Sequence, residues 1–430
     1  MAEKVYAEGH LSGPAVLSGP GRASGPTELS VPFRQFVLKV HSRCNLACTY
    51  CYIYESPDRT WRDRPAVVAP ETVRAAARRI AEHAATHRLP RLRIELHGGE
   101  PLLKGPEAVI GYTDAVRAAV PAYTAVTATV QSNGTLLTPS VLDALAAARI
   151  RVGLSLDGGT AALNSRRTDH AGRPSWSAAS RAARLLADRH PASYAGLLCT
   201  IDVASDPREV YESLCALRPP ALDFLLPHRN WGQLAPGRYR PAPTPYGDWL
   251  VRAFDLWWVA ADGRRPRIRL FTEVVALLLG GDSVAESVGL SPLAAVVVDT
   301  DGSIEQVDSL KSTYAGAPAT GLDVVRNTFD EALRHPGIAA RHLGVRALSG
   351  TCRSCPVVRV CGGGNYAHRY YAPESNAPAD SSDHPAPGGS AFRHPSVYCA
   401  DLERFIRHVA QRVAEQLPPC SVSSTGVCHK

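Results

Sequence analysis

No run of about eighteen apolar residues occurs in this chain of 430 residues, which leaves no simple membrane-spanning helix. The opening stretch MAEKVYAEGHLSGPAVLSGPGRASGP lacks a basic segment followed by an apolar one, so no secretory signal is legible and a cytoplasmic location is expected. Charge of one sign is also scarce. The formal net charge is +7, and the basic residues are dispersed, with only adjacent pairs such as Arg78 with Arg79 and Arg166 with Arg167. No nucleic acid is expected as a partner, whereas a peptide with acidic stretches suits the charge. A disulfide framework is missing as well. The eleven cysteines are an odd number grouped at close spacing, which in a reducing compartment favours metal ligation. With 45% hydrophobic and 20% charged residues, the chain can bury a large core and holds two domains.

Residues 1–30 are rich in Gly, Ser and Pro and read as a flexible arm. From Phe36 short apolar runs alternate with amphipathic stretches. FVLKV (36–40) precedes a helix at 70–87, RLRIEL (91–96) one at 106–119, and VTATVQ (126–131) one at 139–148. VGLSL (152–156), GLLCTID (196–202) and LDFLLP (222–227) continue the series, with helices over 175–190 and 207–217 between them. Six strand–helix units predict an α/β fold with a parallel sheet, either doubly wound or a partial (β/α)6 barrel over 31–235. In both, ligands gather beyond the C-terminal strand ends. The motifs HSRCNLACTYCYIYE, HGGEP, QSNG and SLDG follow the first four strands and so converge on one rim. Beyond them, 236–310 reads as a bridge with helices at 245–261 and 270–280 and a hairpin over 294–307 turning at a DG pair. A small cysteine-rich domain spans 311–410, includes the low-complexity loop 375–392, and needs a metal staple; 411–430 is a tail.

Cys44, Cys48 and Cys51 stand at C-x3-C-x2-C. Three thiolates at this spacing can hold three corners of a cubane cluster and leave one iron open. A zinc site completed by His41 is the alternative. Tyr50, between the second and third cysteines, is either a packing group or an aromatic wall beside a ligand. In HGGEP, Gly98 and Gly99 allow close backbone approach, and Glu100 accepts from an amine. Cys352, Cys355, Cys361 and Cys399 form a second group that closes a site of zinc or iron and sulfur. Cys199 and Cys215 fall in apolar patterns and read as core, while Cys420 and Cys428 have no assigned task.

The first cysteine loop with its GGEP strand end resembles the radical SAM superfamily, whose C-x3-C-x-aromatic-C is matched by Cys44, Cys48, Tyr50 and Cys51. The resemblance implies a [4Fe-4S] cluster whose open iron chelates S-adenosyl-L-methionine, with the amino group of the latter at Gly98 to Pro101. It also implies Ser132 and Asn133 near the ribose and Ser155 and Arg167 near the carboxylate. The family's H-D-x-x-R reads Leu163 to Arg167 here, a departure from the pattern. The second group resembles a SPASM auxiliary domain, which normally carries seven cysteines and two clusters. Here Asn365 and Val307 stand where cysteines are usual, and none occurs between 216 and 351. One fully ligated auxiliary [4Fe-4S] cluster is therefore expected.

TWRDRP (60–65), DFLLPHRNW (223–231), TDGSIEQVDSLKS (300–312) and CPVVRVCGGGNYAHRY (355–370) are similar to FxsB-type peptide maturases. That resemblance implies a ribosomal precursor peptide as partner, an electron donor such as flavodoxin or ferredoxin, and a cyclophane joining an aromatic ring to a β-carbon. Asp308 is the expected base, and Asp157 and His228 are expected near the peptide. The alternatives are another SPASM side-chain oxidation, such as sulfatase maturation, and a non-catalytic iron–sulfur or zinc protein.

Overall fold

The computed structural model describes residues 31–233, 243–261, 265–371 and 390–416. The arm, Cys420 and Cys428, and most of the low-complexity loop lie outside the described residues. Six parallel strands run β1 (Gln35–His41), β2 (Arg91–Gly98), β3 (Ala125–Ser132), β4 (Ile150–Ser155), β5 (Tyr194–Thr200) and β6 (Ala221–Leu225). Between them lie α1 (Pro70–Thr86), α2 (Pro106–Ala119), α3 (Pro139–Ala147), α4 (Trp176–Arg189) and α5 (Pro207–Cys215). Proline opens four of these five helices, where its fixed φ suits the first turn and its missing N–H costs nothing. Thr138 and Asp206 accept backbone N–H bonds as N-caps of α3 and α5.

Strand order in the sheet equals chain order from β1 to β6. Each crossover therefore steps one place in the same direction, and right-handed crossovers put every helix on one face. A doubly wound sheet would reverse direction part-way. The partial barrel is the alternative that holds. Within β1, Phe36, Leu38 and Val40 are buried in the apolar core. Lys39, on the opposite parity, meets His97 of β2 across the sheet.

Two helices, α6 (Pro245–Val259) and α7 (Arg269–Leu278), follow, with the short strand β7 (Arg267–Ile268) beside β6. The expected hairpin is β8 (Ala295–Val298) and β9 (Ser303–Glu305), and β8 pairs in parallel with β1. A strand not read from sequence, β10 (Ala319–Asp323), completes a sheet of ten. The bridge hairpin thus extends the barrel's own sheet. Four short helices, α8 (Phe329–Leu333), α9 (Pro336–Ala340), α10 (Gly350–Arg353) and α11 (Val358–Cys361), lead to the long α12 (Cys399–Ala414).

Helix α12 returns to the barrel side, where Phe405 packs against Phe254 and Phe271 at ring-centroid distances of 6.0 and 5.5 Å. Phe254 also stacks on Trp258. The cysteine-rich segment therefore shares the main apolar core and adds only a small cluster around Tyr366, Tyr370 and Phe392. Phe254→Ala should cost about 3–5 kcal/mol. The check is a lower denaturant midpoint at unchanged slope in chemical unfolding.

Candidate active site

The first cysteine loop begins where β1 ends, and β2 clamps it. Gly99 N–H donates to the His41 carbonyl at 2.9 Å, and Glu100 N–H donates to the Arg43 carbonyl at 3.0 Å. A Cβ on Gly98 would lie 2.1 Å from the His41 oxygen, and one on Gly99 2.0 Å from the Tyr54 hydroxyl. The glycines of HGGEP are thus required by the loop backbone itself. On its far side the loop pairs with 166–169, through Ala47 N–H to the Thr168 carbonyl and Thr49 N–H to the Arg166 carbonyl. Asn133, at the end of β3, donates to Cys44 Sγ at 3.7 Å and to Asn45 Oδ1 at 2.9 Å. Leu46 N–H also donates to Cys44 Sγ.

Glu100 is fully buried and uses both oxygens. Oε1 accepts from Ser132 Oγ and Leu102 N–H, and Oε2 from Asn133 N–H. Burial pushes its pKa up to about 7 against those hydrogen bonds. Glu100 therefore ties the β2 and β3 ends together, with Pro101 buried behind it. Ser155 accepts from Gln131 at 2.9 Å. Arg167 is buried and donates to the Tyr50 hydroxyl at 2.8 Å, while its Nε is buried with no partner. A ligand carboxylate would satisfy that nitrogen. The Tyr50 hydroxyl in turn donates to Asp157, and Arg166 lies over its ring. Asp157 also accepts from Thr200 N–H, so both its oxygens are engaged and it positions Tyr50.

At the same mouth Lys39 donates to Asp308 Oδ2 at 2.5 Å, with His97 Nδ1 3.3 Å from the ammonium. Burial alone would raise the pKa of Asp308, but Lys39, Lys311 and His97 outweigh it and hold the carboxyl below its ordinary value. Its Oδ1 is buried and unpartnered. Lys311 continues the network to Glu305 at 3.1 Å and Asp299 at 3.8 Å. His228 stacks edge-on to Tyr52 at 4.8 Å and neighbours His368 at 5.4 Å. Burial lowers its pKa to about 4, so the ring is neutral, and Nδ1 has no partner. Lys39, His97 and His368 escaped the sequence reading, although a lysine inside the apolar run FVLKV was a usable signal.

The second cysteine group is organised by CGGG. Gly362, Gly363 and Gly364 have φ of +60, +81 and +69°. Their carbonyls converge on the buried Arg369 guanidinium, with bonds of 2.7 to 3.1 Å. Gly363 N–H turns the other way and donates to Cys361. Burial pushes Cys361 up to about 12 and Cys399 up to about 11, and charges on Cys352 and Cys355 would add to the latter. Both cysteine groups are free of disulfides.

A single zinc with thiolates at about 2.3 Å draws its sulfurs to about 3.8 Å of each other. Among the described residues, the trio whose ligand atoms lie within 4.8 Å of one another is His83, His87 and Asp330, and no set of three cysteines is so close. Thiol groups that adjoin one another, receive N–H bonds, and stand too far apart for one ion fit the larger body of an iron–sulfur cluster.

Residues 38–204 match the sequence model of the Radical SAM superfamily. The chain carries a radical SAM domain. A cysteine-type anaerobic sulfatase-maturating enzyme of Clostridium perfringens (strain 13 / Type A) is 26% identical over 281 residues, 64% of this chain and 74% of that protein. A serine-type anaerobic sulfatase-maturating enzyme of Klebsiella aerogenes is 25% identical over 340 residues, 79% of this chain and 80% of that one. The solved structure of native anSMEcpe with bound AdoMet aligns with a TM-score of 0.71 at 22% identity, covering 89% of this chain and 100% of that chain. At that identity the shared property is the fold. The sequence match thus ends within the barrel, while the aligned fold runs on into the cysteine-rich segment.

Gly362→Ala would set a methyl 1.6 Å from the Gly289 carbonyl oxygen at a left-handed φ. If each cysteine group holds a four-iron cluster, iron should fall from about eight to about four atoms per chain. Gly350→Ala, with nothing within 4 Å of the new carbon, should keep its iron.

Proposed function

We propose that the protein is a radical SAM peptide-modifying enzyme that joins an aromatic ring carbon to the β-carbon of a second residue in a ribosomal precursor peptide. The observation that carries this reading is the convergence of the four motif stretches around Asp308. Arg64 of TWRDRP pairs with Asp301 and Glu305 of TDGSIEQVDSLKS. Asn230 of DFLLPHRNW donates to the Ser312 carbonyl, and Trp231 N–H to the Tyr370 carbonyl. These segments lie far apart in sequence yet build one wall of the barrel mouth.

Cys44, Cys48 and Cys51 would hold the first cluster, and Arg167 would receive the carboxylate of S-adenosylmethionine through its unpartnered Nε. When bound and reduced, this pair supplies a hydrogen-atom abstractor. The remaining work belongs to the chain. Joining two C–H carbons removes one hydrogen atom from the β-carbon and then an electron and a proton from the ring. Asp308 is held ionised by Lys39 and keeps Oδ1 open, which suits it to take that proton. Cys352, Cys355, Cys361 and Cys399 leave no protein-free corner, which suits their cluster to accept the electron. The half-buried rings of Tyr52 and His228 and the buried ring of His368 limit water beside the acid.

The relatives favour a second reading, oxidation of a single serine or cysteine side chain. Coexpression with a candidate precursor peptide separates the two. A cross-link removes two hydrogens and suppresses fragmentation between the joined residues. Two-electron oxidation of a serine gives the same mass but leaves a carbonyl that reacts with a hydrazine probe. A carbonyl without a cross-link would replace the proposal with the second reading.

Asp308→Asn should leave S-adenosylmethionine cleavage in place while product formation falls about 100-fold or more. Lys39→Gln removes the cation that offsets Asp308's burial, so the carboxyl pKa rises. The acid limb of the product-formation profile should move to higher pH by about one unit. A profile that stays in place would remove Asp308 from the proton step.

A further inference from the structure

Outside the barrel, on the helical side of β1, one cluster of ligating side chains takes no part in the chemistry above. His83 and His87 lie one turn apart at the C-terminal end of α1, with ring centroids 4.5 Å apart. Both aim at Asp330 in the first turn of α8. His83 Nδ1 is 2.7 Å and His87 Nε2 2.8 Å from the same oxygen, Oδ1. All three ligand atoms lie within 4.8 Å of one another.

The arrangement is held from both sides. Thr328 and Glu331 form a capping box that fixes the first turn of α8 and hence Asp330. Arg79, one turn before His83 on α1, donates to the Val324 and Val325 carbonyls and sets the spacing between the two segments. Phe33, Phe36 and Phe329 pack around the His83 ring at 5.8, 6.0 and 6.1 Å. The His83 side chain is 1% exposed, yet those of His87 and Asp330 are 26% and 33% exposed. An ion and a completing water can therefore enter from one side.

We propose that His83, His87 and Asp330 are the ligands of a single divalent late first-row cation, with zinc as the expected occupant. Two imidazoles and a carboxylate are the borderline donor set such ions select, and two histidines at i, i+4 chelate from one helix face. The ion takes the place of the two hydrogens now directed at Asp330, and N–O separations need widen by only a few tenths of an ångström. Each neutral ring then carries its proton on the other nitrogen. For His83 that is Nε2, which is buried without a hydrogen-bond partner, and the Phe33 backbone lies near the ring. A metal-bound histidine typically directs its free N–H to such a backbone acceptor. The ion would pin α8, directly after β10, to the barrel helix α1.

The test uses the full chain with its clusters already assembled, so that zinc does not fill the cysteine sites. Zinc is added at about tenfold excess, followed by desalting and metal analysis. One zinc per chain should be retained at unchanged iron content. His87→Gln and Asp330→Asn alter half-exposed positions, so circular dichroism and iron content should stay as in the parent. Each should lower zinc affinity about tenfold or more in calorimetric titration. Equal zinc binding in the parent and both variants, or none in the parent, would overturn the site. Neither result touches the peptide chemistry, which is read from the product.

Discussion

Two backbone hydrogen bonds, Gly99 N–H to His41 and Glu100 N–H to Arg43, hold the end of β2 against the start of the first cysteine loop. The contact is so close that no side chain fits on either glycine. Because the loop continues directly from β1, this clamp sets where Cys44 begins, and the second clamp at 166–169 sets where Cys48 and Cys51 follow. The same β2 end carries Glu100, whose carboxylate reaches across to Ser132 and Asn133 of β3. Asn133 then returns to Cys44. Loop, β2 and β3 thus form one closed circuit of bonds, and a methyl group at Gly98 or Gly99 would open it at its tightest point.

Buried charge imposes the second constraint. At the junction of β1, β8 and β9, edged by Arg64 and the exposed Asp301, the buried Lys39 and Lys311 face the buried Asp308, Glu305 and Asp299. Taking these groups from water is costly, and the cost is offset only while each keeps its partner; loss of one typically costs about 3–5 kcal/mol. The network also explains why the hairpin adds to the barrel's sheet instead of standing apart. Pairing β8 with β1 brings the Asp308 turn over Lys39, and Arg64 closes from the loop after the cysteines. The polarity of this seam leaves Asp308 ionised with one oxygen open.

Much of the barrel was legible because its signals are local. Apolar runs of strand length, amphipathic helices and proline starts place all six strands and five helices to within a few residues. Cysteine spacing was legible for the same reason. The contacts that decide side-chain roles are long-range, and the sequence carries little trace of them. Asp157 reads as a rim acid after a strand but meets Tyr50, 107 residues away. Lys39 finds Asp308 at a separation of 269 residues. Strand β10 is short and polar, and its pairing with β9 comes from the hairpin geometry and not from an apolar run.

The two cysteine sites solve the same electrostatic problem by different means. Burial raises the thiols, to about 12 for Cys44 and Cys361, so that each site folds around neutral sulfur. Holding a cationic cluster requires thiolates, and loading must therefore release protons. In the first loop, N–H donors from Leu46 and Asn133 meet Cys44 and compensate the new charge. In the second, three consecutive left-handed glycines turn their carbonyls onto Arg369 and free an N–H for Cys361. Arg369 is itself buried and lowered by burial, so its cation is best tolerated when the neighbouring sulfurs are negative. With a cluster bound, arginine, glycine turn and thiolates would stabilise one another, in a segment from Cys352 to Tyr370 that has only a small apolar cluster of its own.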